Sequence, residues 1–268
     1  MKEKTKKLTL LYLLFLLLIG VAGSVDGIVS DIIYYSAFII PSALGMWIGL
    51  RDGNRSLPLL SIDGDGLRIT ALIAAPTVAV VWGVSYLTSL VILLLTGESD
   101  TPEVASTFWV AVLTSALLPA LLEELLFRYV PMKLLSGGSA RRILLLSALM
   151  FAVAHMNPFQ LVYAFIAGVI FMSIDLVAGS VLPSVILHFV NNLVNVILIF
   201  YPEKFVIIGV IVTLCLLFVI SLLFFLSKRR EIVAKIINIF SAEDTEERDL
   251  TPLAFIVPAV VVAISVFF

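Results

Sequence analysis

Nine apolar stretches separated by short polar connections dominate this chain of 268 residues. They fall at about 8–25, 32–50, 69–95, 108–127, 143–156, 159–177, 181–200, 204–226 and 252–268. A helix needs about 20 apolar residues to cross the hydrocarbon core of a bilayer, and most of these runs approach or exceed that length. Composition agrees. The chain is 61% hydrophobic and 13% charged, whereas soluble domains are roughly 45–50% apolar and about 25% charged. The expected fold class is all-α, a polytopic membrane helix bundle of about eight transmembrane helices, or nine if 252–268 crosses as well. Met1–Lys7 followed by Leu8–Ile19 imitates a signal peptide. The chain then stays apolar for seven or eight further segments, and Ser24-Val25-Asp26 is a poor small-residue cleavage site, so the stretch reads as the first spanning helix. No internal repeat and no linker divides the sequence, so residues 1–268 read as a single integral membrane domain. The connection Ser241–Thr251 is acidic and reads as solvated.

Charge narrows the function classes. A net charge of −2 leaves no basic footprint for nucleic acid. The single cysteine, Cys215, has no partner for an internal disulfide and reads as a small hydrophobe. Lysines and arginines are distributed unevenly among the connections. With the N-terminus inside, 16 of the 17 basic residues fall on the cytoplasmic side and only Lys204 lies outside. The opposite connections carry Asp26, Asp31, Glu98, Asp100 and Glu103. This bias predicts a cytoplasmic N-terminus.

Three polar clusters interrupt the apolar runs. The first is Glu123-Glu124-Leu125-Leu126-Phe127-Arg128. An ionisable side chain in hydrocarbon costs about 2.5 kcal/mol or more and reads as functional by default. Glu124 and Arg128 are i, i+4 on one helix face and can pair. Glu123 projects about 100° away and is left as a candidate general base. The second cluster is Phe151-Ala152-Val153-Ala154-His155, with Phe151 and His155 on one face. A lone histidine on an apolar face is more often a satisfied core residue than a catalyst. Registry argues for more here. Gly137-Gly138 marks a turn, with Glu123 14 residues before it and His155 17 after it. An antiparallel hairpin would set the two within roughly 5 Å in height. The third is His188-Phe189-Val190-Asn191-Asn192. His188 and Asn192 share a face, Asn195 continues it, and Asn191 is expected to point elsewhere. Such a stripe faces the bundle interior, as a site or as interhelical glue. A carboxylate, two imidazoles and an amide can activate water and hold an oxyanion. Ser115 and Ser147 lack a nucleophile motif, and no His-Glu-x-x-His zinc helix occurs. No metal or cofactor is expected, although Glu123, His155 and His188 form a donor set that zinc accepts with an open fourth position. Asp175, a further intramembrane carboxylate, would either border the cavity or reach the interface by snorkelling, and snorkelling is the favoured expectation.

These motifs, as spaced, resemble the type II CAAX prenyl protease family of intramembrane peptidases, also called the Abi or CPBP family. The pattern is Glu123-Glu124-x-x-x-Arg128, then Phe151-x-x-x-His155, then His188-x-x-x-Asn192. Ala178-Gly179-Ser180-Val181-Leu182-Pro183 resembles the family's small-residue turn, and Gly168 stands where a glycine is usual. The resemblance covers about residues 108–200. It implies an intramembrane endopeptidase with a cavity opening to the cytoplasmic side. Glu123 would activate water with help from His155. His188 and Asn192 would hold the oxyanion, and Glu124 and Arg128 would support the site. The substrate would be a membrane protein or a lipidated peptide, with the lipid bilayer as the other partner. The alternative is a non-enzymatic membrane factor, a bacteriocin immunity or scaffold protein, using the same residues for packing or partner binding. A proton-coupled carrier is a weaker reading, because no repeated halves with matching broken helices occur.

Overall fold

The computed structural model describes residues 2–54, 57–97 and 107–240. Among them the secondary structure is helical throughout, without strands. The helices are α1 (Lys2–Ala22), α2 (Gly27–Arg51), α3 (Gly64–Thr96), α4 (Phe108–Leu134), α5 (Ala140–Ala154), α6 (Pro158–Ala178), α7 (Leu182–Phe200) and α8 (Lys204–Phe240). Six helices among the described residues are long and apolar enough to cross a membrane: α1, α2, α4 and α7 whole, and α3 and α6 over Pro76–Leu95 and Gln160–Ala178. The chain is thus an integral polytopic membrane protein. α5 has only 15 residues, and the apolar part of α8, Lys204–Ile220, is short. The expected ninth crossing at 252–268 lies outside the described residues.

Helix ends follow local chemistry. Asp63 caps α3 by accepting from the Gly66 amide at 2.7 Å, and Gly97, at φ 75°, closes its other end in the left-handed region. α5 stops early for a visible reason. Met156 has a positive φ of 45°, and Asn157 precedes Pro158, which disfavours a helical conformation for the residue before it.

One end of the bundle is tied together by polar contacts. The Lys7 ammonium meets the Asp52 carboxylate at 2.9 Å. Lys4 donates to the Asn54 side chain at 3.2 Å and to the Ser136 carbonyl at 2.8 Å. The Val181 amide donates to the Pro58 carbonyl at 3.0 Å. So the start of α1, the α2–α3 connection, the α4–α5 turn and the α6–α7 turn share one end, which we call the basic end. The connections at 23–26, 155–157 and 201–203 lie at the far end. There Phe108, opening α4, packs its ring on Phe200 and Tyr201 at the end of α7.

Apolar packing is concentrated toward the basic end. Leu8, Tyr12, Phe15, Phe38, Leu126, Phe127, Val130, Leu134, Ile143 and Met150 form one buried cluster drawn from α1, α2, α4 and α5. Lipid is as apolar as these side chains, so close contact rather than exclusion from water holds such helices together. Glycine permits the closest approaches. A methyl group at Gly45 would stand 2.6 Å from Val130 Cγ1, and one at Gly168 would stand 2.8 Å from Ala148 Cα. The Tyr12 hydroxyl crosses the bundle to the Met150 carbonyl at 3.1 Å.

Candidate active site

α4 supplies both glutamates and is not a uniform α-helix. It carries π turns at Val112–Leu117 and Leu125–Tyr129. The second begins on the residue after Glu124. Wide turns of this kind leave a carbonyl poorly served and cluster at functional sites. Here the Ser147 hydroxyl on α5 donates a short hydrogen bond to the Phe127 carbonyl. Ser147 is thereby fully buried as a packing residue.

The adjacent glutamates have different surroundings. Glu124 is 0% exposed. One of its oxygens, Oε2, forms an ion pair with Arg128 Nε at 3.3 Å, the i, i+4 pair expected from the spacing. The other lies 2.8 Å from Nδ1 of His188 on α7. Glu123 faces the cavity, and its carboxylate approaches His188 Nε2 at 3.9 Å. His188 therefore stands between both carboxylates, one at each ring nitrogen. The link from Glu124 to His188 is absent from the spacing argument, because it depends on how α4 packs on α7.

Arg128 also corrects the charge count. It is 0% exposed and belongs to the bundle interior rather than to a surface connection. Its guanidinium carbon lies 4.3 Å from the Phe151 ring centroid, where the negative ring face attracts a cation. None of its three guanidinium nitrogens finds a hydrogen-bond acceptor among the described residues. The ring and Glu124 hold this charge. Phe151 also packs edge-on against both His155 and His188. The Phe151-x-x-x-His155 spacing thus places one ring under the whole cluster.

His155 caps the C-terminus of α5, where the helix stops. Its Nδ1–H donates to the Phe151 carbonyl at 2.8 Å, so its Nε2 carries the lone pair. On α7, Asn191 contradicts the expectation that it points elsewhere. It is buried, lines the cavity and donates its amide to the Asn192 side-chain oxygen at 3.1 Å. Asn191 is i, i+3 from His188, and that spacing shares a helix face as well as i, i+4 does.

Asp175 is the other correction. It does not snorkel. It is 0% exposed, and its Oδ1 accepts from the Ser184 amide at 2.9 Å. That amide is one of the unpaired donors in the first turn of α7. Asp175 thus caps α7 from a neighbouring helix and fixes the height at which His188 stands.

A cavity of about 500 Å³ collects Glu123, His155, His188 and Asn192, joined by Asn191, Asn195, Gln160, Tyr163 and Ser115. The expected proximity of Glu123 and His155 across the Gly137-Gly138 turn is realised to the extent that both line this one space. Among the described residues, no three His, Cys, Asp or Glu side chains converge in a group suited to a metal ion. The rest of the lining marks where the cavity lies. Ile19, Ala111, Ile199 and Phe200 belong to the far end of their helices, and Met156 lies in the α5–α6 connection at that end. The lining thus extends toward the end of the bundle away from Lys4 and Lys7.

Residues 105–194 match the family model described as type II CAAX prenyl endopeptidase Rce1-like. The chain carries an Rce1-like domain. The matched segment runs from just before α4 to within α7 and contains Glu123, Glu124, Arg128, His155, His188 and Asn192. This is the family that the three motifs resemble, and it is a peptidase-type enzyme family. No curated protein and no solved structure matches the chain. Within the matched segment, α4, α5 and α7 supply the carboxylates, imidazoles and asparagines, and α6 supplies Gln160, Tyr163 and the Asp175 cap.

Proposed function

We propose that this protein is an intramembrane endopeptidase in which Glu123 activates water for attack on a peptide bond. The observation that carries the reading is the split between the two glutamates. Glu124 is consumed by Arg128 and His188, while Glu123 stands on the cavity wall 3.9 Å from His188 Nε2. A base must reach its water, and only Glu123 has open space beside it.

The steps follow from the donors. Water lodges on the cavity side of Glu123, with the His155 Nε2 lone pair as a second acceptor that orients it. Glu123 takes a proton, and the oxygen attacks the carbonyl carbon. Negative charge develops on the carbonyl oxygen and calls for preorganised donors. With Nδ1 held by Glu124, a protonated His188 presents its Nε2–H to the cavity. Asn192 has its oxygen engaged by Asn191, which turns its own amide hydrogens toward the oxyanion. The C–N bond then breaks. The proton held by Glu123 passes to the leaving nitrogen, giving a carboxylate and an amine. Glu124 and Arg128 act through His188 and are positioning residues. The reading uses no metal.

The test is cleavage of a fluorogenic peptide panel by the purified full chain in lipid nanodiscs. Glu123→Gln should lower the rate by about 10²–10⁴-fold, the usual contribution of a positioned base, and a strong chelator should leave the wild-type rate unchanged. Cleavage by Glu123→Gln at the wild-type rate refutes the assignment of the base. Loss of wild-type cleavage on chelation, restored by zinc, refutes the metal-free mechanism.

A further inference from the structure

The polar lining of the cavity continues beyond Glu123, His155, His188 and Asn192. Glu123 and His188 meet at 3.9 Å, which fixes a common height on α4 and α7. The two helices run antiparallel, with Phe108 against Phe200 and Ala116 in one apolar cluster with Val196. Ser115 lies eight residues before Glu123, and Asn195 lies seven after His188. Both line the cavity, and they stand at one height, about 10–12 Å from the reacting level at 1.5 Å per residue. On α6 the Phe171 ring lies 6.0 Å from the His188 ring. Gln160 lines the same cavity 11 residues earlier, about 16 Å along the axis. Polar side chains in spanning helices commonly hydrogen-bond a neighbouring helix. Asn195 and Gln160 do not, since among the described residues neither side chain has a hydrogen-bond partner. Each presents its amide to the cavity instead.

We propose that Ser115, Asn195 and Gln160 form a strip that hydrogen-bonds the main chain of an extended substrate segment, at peptide groups roughly three to five residues from the scissile bond. This deepens the peptidase reading and rests on it for the position of that bond. An amide side chain carries both donors and an acceptor, so it can pair with the N–H and the C=O of a peptide group. A helical segment satisfies those groups internally, whereas an extended one brings them bare into an apolar interior, where an unmade hydrogen bond is costly. The strip therefore favours a segment that is unwound beside the cleaved bond over one that stays helical. Its groups are uncharged and read main chain rather than side-chain identity.

Peptide binding tests this without needing activity. The probe is a fluorescein-labelled peptide of alternating alanine and leucine, which offers main chain and no polar side chain. A second peptide of the same sequence is N-methylated on alternate residues. Both are titrated against the full-length Glu123→Gln chain in lipid nanodiscs, with binding to empty nanodiscs subtracted. The unmodified peptide should bind saturably and the N-methylated one about tenfold more weakly. Asn195→Leu and Gln160→Leu should each weaken the unmodified peptide about fivefold, the effect of one hydrogen bond, and leave the N-methylated peptide unchanged. Ser115→Ala, which removes a single oxygen atom, repeats the test where a leucine variant fails to insert. Equal affinity for the two peptides, binding by all three variants at the affinity of the parent, or no saturable binding overturns the proposal. Binding as expected together with wild-type cleavage by Glu123→Gln strikes the assignment of the base and leaves the strip intact. Equal affinity for the two peptides together with loss of cleavage by Glu123→Gln does the reverse.

Discussion

The two ends of this bundle are built from similar apolar helices and do different things. At the basic end, Tyr12, Phe15, Phe127, Val130 and Met150 leave almost no surface exposed, and glycines let the backbones touch. At the far end, the same helices part around a cavity of about 500 Å³ lined by amides, imidazoles and one carboxylate. The packed end provides the rigidity that holds polar groups at fixed distances, and the hollow end has room for a substrate. The boundary between them is one turn of α4, where Glu124 belongs to the packed part and Glu123, one residue earlier, to the hollow part.

The sharpest way to break that comparison is to truncate the buried member of the pair. Glu124→Ala leaves Arg128 buried without its carboxylate. Removing one partner of a buried pair costs about 3–5 kcal/mol, so the variant should melt well below wild type in detergent and lose activity as well. Wild-type thermal stability would place Glu124 in the hollow part. Phe15→Ala tests the packed half alone. Loss of a buried aromatic costs about 3 kcal/mol or more, whereas Ile199→Ala in the cavity wall at the far end should change melting by less than a third of that. Equal shifts would erase the contrast. Asp175→Ala probes the cap that sets the height of His188. An unsatisfied buried amide costs about 1–3 kcal/mol, and kcat should fall more than KM rises, because His188 moves while the cavity remains. Asn191→Ala should give the smallest effect, a loss of up to about tenfold in kcat at unchanged melting temperature, consistent with one hydrogen bond that orients Asn192.

Much of this arrangement was legible in the sequence, for identifiable reasons. Helices announce themselves through long apolar runs, and the Gly137-Gly138 turn between α4 and α5 stands where expected. The i, i+4 spacing of Glu124 and Arg128 sufficed to predict their pairing, because both residues sit on one helix. What escaped depends on contact between distant helices. The bond from Glu124 to His188 spans 64 residues and rests on the packing of α4 against α7. Asp175 reads as a snorkelling residue in a linear sequence, since nothing local shows that it meets the first turn of α7. The π turns of α4 have no side-chain signature. The cavity itself could not be read from spacing, because it depends on where α2, α4, α6 and α7 part from one another.

The central claim is that Glu123, and not its neighbour, performs the chemistry. The most direct measurement is peptide cleavage by purified wild type and Glu123→Gln, with the melting temperature of each recorded in the same preparation. The account predicts a loss of at least about 10²-fold in rate at an unchanged melting temperature. A Glu123→Gln protein that cleaves at the wild-type rate would contradict it.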